Sequence, residues 1–232
     1  MKKATTLIVA LALGTLLAQS AFAASPNVRI SQVYGGGGGS TGSPTYNVDY
    51  VELFNNSGTA VILTGWALEY GSATGNWGSS SGNYLVFPAG ASIAACGYLL
   101  IQSGTAGSAG GPLPITPDYT SPANMSATSG KVGLFNALNA NVACGSEVSG
   151  TLVDKVAYGT SNCPEGTAVA ALSTTTGAVR NGGGTTDTDN NSSDFTVVSG
   201  PVPRNSSSPK NSTCLATPAN TNTWGLLKLH YR

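Results

Sequence analysis

Residues 49–71, DYVELFNNSGTAVILTGWALEYG, constrain the fold more than any other stretch of this chain. Val48 to Phe54 is an extended run of β-branched and aromatic residues, which favour a pleated strand. By the period of two, Val51 and Leu53 fall on one face and Tyr50, Glu52 and Phe54 on the other. Asn55-Asn56-Ser57-Gly58 then supplies residues that tolerate positive φ and bond their own backbone, so the chain reverses. A second apolar run, Ala60 to Leu63, turns again at Thr64-Gly65. Trp66, Leu68 and Tyr70 then share a face. A chain whose centre alternates this way must bury sheets rather than helices.

Further strands are expected at residues 28–34, 84–87, 98–102, 131–135, 152–158 and 194–198. In the first, Val28, Ile30, Gln32 and Tyr34 are read on one face and Arg29, Ser31 and Val33 on the other. Residues 168–172 are the one place where a short helix fits. The five glycines at 35–39 begin a flexible loop, since no helix start or Lys-Ser/Thr follows to make a phosphate cradle. Residues 103–129 form a second long loop. Its Pro112, Pro114, Pro117 and Pro122 argue against a central strand. With 31 glycines, 12 prolines and only 9% charged residues, the chain reads as an all-β sandwich with long Gly/Ser/Asn-rich loops.

Several of these stretches carry a resemblance. Asp49-Tyr50-Val51-Glu52-Leu53-Phe54-Asn55, followed by Leu63-Thr64-Gly65-Trp66-Ala67-Leu68, resembles the lamin tail domain. Ile30-Ser31-Gln32-Val33-Tyr34, residues 129–134 and Asp154-Lys155-Val156-Ala157-Tyr158-Gly159 are similar to the bacterial secreted members. The resemblance spans about residues 28–205. It implies an immunoglobulin-like β-sandwich and a non-catalytic role. It also implies that Glu52, like Asp154, is structural rather than a catalytic acid, and that Trp66 belongs to the core.

The first 23 residues read as a secretory signal peptide: a Lys2-Lys3 start, an apolar run over 7–17 and a small-x-small site at Ala21-Phe22-Ala23. The apolar run is shorter than a membrane span. A domain is expected over residues 24–210, with a disordered tail over 211–232. The expected location is extracellular or periplasmic. Four cysteines in such a compartment favour disulfides, and three pairings are open to Cys96, Cys144, Cys163 and Cys214. The resemblance points to Cys144–Cys163, which leaves Cys96–Cys214 as the second bridge or Cys96 as a buried thiol.

Without Lys2 and Lys3, eight basic residues face ten acidic ones. Lys131, Lys155, Arg180 and Arg204 are scattered, so there is little with which to neutralise phosphates. The only histidine, His230, lies in the tail, which argues against a Ser-His-Asp site. Asp187, Asp189, Asn191 and Asp194 stand at positions one, three, five and eight of an EF-hand-like start. Ser192 at six and Val198 at twelve depart from that pattern. A weak Ca²⁺ site is one reading and an Asx-rich turn the other; no other cofactor is expected. Trp77 is read as a lid on the core or an exposed binding aromatic.

The leading expectation is a secreted module for adhesion or targeting, with contacts on the loops at 35–47 and 103–129. Its partner is left open among an extracellular protein, a polysaccharide and a nucleic-acid surface. The alternatives are an accessory N-terminal portion of an extracellular nuclease or phosphoesterase, and a carbohydrate-binding module.

Overall fold

Every residue of the strand Asp49–Asn55 is buried, because it lies inside a sheet covered on both faces. The computed structural model describes residues 27–214. The signal peptide read at 1–23 and the tail residues 215–232 lie outside them. In chain order the strands are β1 (Val28–Tyr34), β2 (Asp49–Asn55), β3 (Val61–Ile62), β4 (Ala67–Ser72), β5 (Tyr84–Val86), β6 (Ser92–Ile93), β7 (Tyr98–Ser103), β8 (Tyr119–Ser121), β9 (Gly130–Phe135), β10 (Leu152–Tyr158), β11 (Thr176–Arg180) and β12 (Phe195–Ser199). A six-stranded sheet runs β12-β11-β1-β2-β7-β8, a four-stranded sheet runs β10-β9-β4-β5, and β3 pairs with β6. All pairs are antiparallel except β7 with β8. The two larger sheets face each other as a sandwich.

The main core lies between them and takes Val51 and Leu53 from β2, Leu68 and Tyr70 from β4, and Trp66 at its margin. The alternation expected for these residues is therefore the observed one. In β1 it is not. The register shifts between Ile30 and Gln32, and the extra residue, Ser31, turns its hydroxyl to Glu52 Oε1 at 2.6 Å. A bulge of this kind exchanges the faces beyond it. Val28, Ile30 and Val33 point into the core, while Gln32 and Tyr34 lie outside with Glu52 and Tyr50.

Other departures have local causes. The segment expected to be helical at 168–172 is extended. Val169 donates to the Ala157 carbonyl and accepts from Gly159, both at 2.9 Å, so an unpaired sheet edge overrides the helix propensity of its alanines. The loop at 103–129 contains β8, a three-residue edge strand flanked by Pro117 and Pro122. The glycines at 35–37 are packed rather than flexible. A Cβ at Gly36 would meet Thr174 Cα at 2.6 Å, and one at Gly37 would meet the Val48 carbonyl carbon at 2.1 Å. β11 was not expected at all, because Thr-Gly-Ala-Val-Arg carries a weak strand signal.

Both disulfides, Cys96–Cys214 and Cys144–Cys163, are formed. The first closes a separation of 118 residues and the second one of 19. In the chain-entropy model these constrain the unfolded chain by roughly 5 and 3 kcal/mol. Asn211 donates to the Cys96 carbonyl at 3.0 Å, so residues 211–214 belong to the domain, not to a free tail.

One side chain closes the outer edge of β10. Asn191 Oδ1 accepts from the amides of Ala157 at 2.9 Å and Glu165 at 3.2 Å. Its Nδ2 donates to the Lys155 carbonyl at 3.1 Å and to Glu165 Oε2 at 3.2 Å. The amide stands where a further strand's backbone would be. Replacing it strands several buried polar groups at once, so Asn191→Ala is expected to lower unfolding free energy by about 2–4 kcal/mol. A urea titration followed by tryptophan fluorescence checks it.

Candidate binding groove and the buried charges beneath it

The two loops singled out in the sequence meet. Asn47 donates to Gly111 at 2.7 Å and Gly107 to Asn47 at 2.6 Å. Gly111 donates to Thr45 at 3.3 Å and Ala109 to Gly39 at 3.2 Å. These main-chain bonds fasten loop 35–47 to loop 104–118. Beneath them Tyr34, Tyr50 and Leu100 form a small second core that also holds Tyr46, Leu113 and Ile115. Tyr34 stacks on Tyr50 and meets Tyr46 edge-on, each at 5.6 Å between ring centres.

Asp49 fixes loop 35–47 and the segment after β8 from below. Its Oδ1 accepts from the Gly37 amide at 2.8 Å and its Oδ2 from the Met125 amide at 2.7 Å. Burial raises its pKa to about 6, against the pull of those two amides. The result is a groove of about 440 Å³ walled by Asn47, Gln102, Leu113, Pro114, Ile115 and Thr116. None of its lining residues is charged.

The acids in the strands are engaged elsewhere. Glu52 is fully buried. Its Oε1 is 2.7 Å from Arg204 Nη2, and its Oε2 accepts from the Arg204 amide at 2.6 Å and Gln32 Nε2 at 3.0 Å. Burial still raises its pKa. Asp154 receives Arg180 Nη2 on both oxygens, at 2.8 and 3.0 Å, and the Ile30 amide at 2.6 Å. Arg180 continues to Asp187 at 3.3 Å, and Asp187 to Arg29 at 3.2 Å. This chain of charges ties β10 of one sheet to β1 and β11 of the other. Neither Glu52 nor Asp154 has the open, unshared oxygen that a general acid needs.

The residues read as a calcium loop are not gathered into one set. Asp194 accepts from the Thr188 amide and hydroxyl at 2.9 and 2.8 Å. Asn191 is spent on β10, and Asp187 on the two arginines. Asp194 and Thr188 lie in the turn that leads into β12. The acids that do converge are Asp154, Glu165 and Asp187, within 4.8 Å. Burial, then the charge of Asp154, raises the Glu165 pKa to about 9, while Asp154 itself rises to about 6 through burial. At neutral pH Glu165 holds a proton and Asp154 is the carboxylate that Arg180 needs.

Trp77 is fully buried, edge-on to Phe135 at 5.5 Å, with its Nε1–H on Glu147 at 2.6 Å. It is a lid beside the Cys144–Cys163 bridge, which corrects the reading of an exposed binding aromatic.

The lamin tail domain model matches residues 21–160. The chain belongs to the lamin tail domain family. No curated protein matches it. The matched region holds β1 to β10, the Asp49 clamp and the groove. β11, β12, Arg180, Arg204 and one cysteine of each disulfide follow it. Lamin tail domains are immunoglobulin-like modules not known as catalytic, consistent with engaged acids in the strands. The sequence reading missed Asp49, Asn191, Glu165 and Arg204 as organising residues. Asp49 stood in the family-like motif and Asn191 in the calcium-loop pattern, each read for another reason, while Glu165 and Arg204 stood in neither.

Asp49→Ala removes an acceptor from two buried amides. It is expected to cost about 2–3 kcal/mol and to speed protease cleavage within 35–47 and 122–129, the segments that hold Gly37 and Met125. Mass mapping of early fragments checks it. Glu165 carries an acid's pKa raised from 4.5 to about 9, so the folded state binds the extra proton in that window. The stability it supplies is full below about pH 4.5 and lost as pH rises through about 9. The melting temperature is therefore expected to fall across that range, and Glu165→Gln to flatten the fall, by calorimetry at several pH values.

Proposed function

We propose that this chain is an exported, non-catalytic module of lamin tail type that binds an extracellular partner in the groove between loops 35–47 and 104–118. The observation that carries the reading is a pair of constraints: main-chain bonds fasten loop 104–118 to loop 35–47, and the Asp49 carboxylate anchors loop 35–47 from below through the Gly37 amide. A preorganised surface loses less entropy on binding than a mobile one. Binding surfaces on sandwiches also lie on loops set by the rigid strands.

The lining favours a partner of low charge. Side-chain amides of Asn47 and Gln102 and the hydroxyl of Thr116 stand among proline, leucine and isoleucine. A neutral polysaccharide or an uncharged protein segment suits that mixture. Nucleic acid does not, since no lysine or arginine lines the groove. Export is supported by the signal-like first 23 residues and by two disulfides, which persist in oxidising compartments.

The test is binding of the purified chain to arrays of neutral polysaccharides and extracellular matrix proteins. Signal is expected on at least one class, with a loss of about tenfold, or 1.4 kcal/mol, in Gln102→Ala with Leu113→Ser at unchanged melting temperature. Silence on both arrays, or a signal that the double variant keeps, overturns the proposal.

A further inference from the structure

The edges of the sheets are treated unequally. β10 is closed by Val169 and by the Asn191 amide. β8 is three residues long between Pro117 and Pro122, and β5 is three residues long before Pro88. Short strands, prolines and covered backbone are how proteins prevent edge-to-edge pairing. β12 is longer than β8 and β5, and although Pro201 follows two residues past its end, nothing within the strand blocks its backbone. Its sequence is Phe-Thr-Val-Val-Ser: five residues, with no charge, no proline and no register shift against β11.

The hydrogen-bond phase says which groups of β12 point outward. Gly200 donates to Thr175 at 2.9 Å, so the alternate residues Val198 and Thr196 face Gly177 and Val179 of β11. Phe195, Val197 and Ser199 face away. The Phe195 amide is already spent on the Asn191 carbonyl. That leaves the Phe195 carbonyl, both main-chain groups of Val197 and the Ser199 amide without partners among the described residues.

We propose that β12 is a pairing edge for a second copy of this chain, joined antiparallel about a twofold axis at Val197. The free groups are self-complementary under that operation. Val197 of each copy donates to and accepts from Val197 of the other. The Ser199 amide of each meets the Phe195 carbonyl of the other, the one outward group Phe195 has left. Such an interface is closed and uses the same patch on both copies. Side chains agree. Val197 is 36% exposed and Val202 69% exposed. A cleft of about 330 Å³ lies behind the edge on the outer face, with Val179, Val198, Pro201 and Val202 on its walls beside Gln32, Arg180 and Arg204. With eight basic and ten acidic residues beyond the signal-like start, little net charge drives two copies apart, and an uncharged edge offers nothing to a charged peptide. A five-residue edge falls short of the roughly 1,000 Å² of a stable interface, so pairing belongs to high micromolar concentrations.

Sedimentation velocity on the full chain over a concentration series tests this. A monomer–dimer equilibrium is expected below about 1 mM. Val197→Pro removes only the outward amide and leaves the ladder to β11 intact. Val197→Lys opposes two like charges on the axis. Each is expected to weaken the dimer by tenfold or more. Hydrogen exchange at Val197 and Ser199 in the unaltered chain is a second reading that needs no variant, and protection there is expected to rise with concentration. A chain that stays monomeric throughout, a dimer that both variants leave unchanged, or exchange independent of concentration overturns the proposal.

Discussion

Two carboxylates buried in the sandwich need cations, and both cations arrive from the segment that follows the family-matched part. Glu52 and Asp154 sit on β2 and β10, inside residues 21–160. Their partners, Arg204 and Arg180, come from the chain after it. An unpaired buried carboxylate costs several kcal/mol, so the first ten strands are not self-sufficient in this chain. β11 completes the sheet beside β1 and delivers Arg180. The crossing segment at 201–204 lays Arg204 over Glu52 and the Tyr98 ring, 3.7 Å from its centre. The Cys96–Cys214 bridge then holds that segment down.

The same economy of backbone groups organises the edges. Asn191 replaces a strand on β10, and Asp49 replaces a turn by holding the amides of Gly37 and Met125. In both cases one short polar side chain satisfies main-chain groups from distant segments. The sandwich tolerates its long weakly charged loops because such clamps fix them. The groove results from this and inherits the absence of charge. Where no side chain intervenes, at β12, the backbone is left open.

Much of the strand pattern could be read from alternation. β2, β4 and β10 appear where alternating runs place them, and β7 where a continuous apolar run does; Glu52 and Asp154 are buried in ion pairs with arginines, and Trp66 packs at the margin of the core. The misses share a cause. β11 and β8 lack alternation because their neighbours, not their own residues, make them strands. The helix expected at 168–172 was lost to the demand of the β10 edge. The face exchange in β1 came from one extra residue, which no local pattern announces.

What the sequence by itself determined is the class of fold and the identity of its central strands, because burial of alternate side chains is a local, periodic property. It also limited the chemistry, since a chain with one histidine and few charges can build few reactive sites. Only the tertiary structure decided which arginine neutralises which acid, which loops touch, and which edge stays open. Asp154 and Arg180 stand 26 positions apart and Glu52 and Arg204 stand 152 apart, and nothing in the local sequence of either partner encodes the distance to the other.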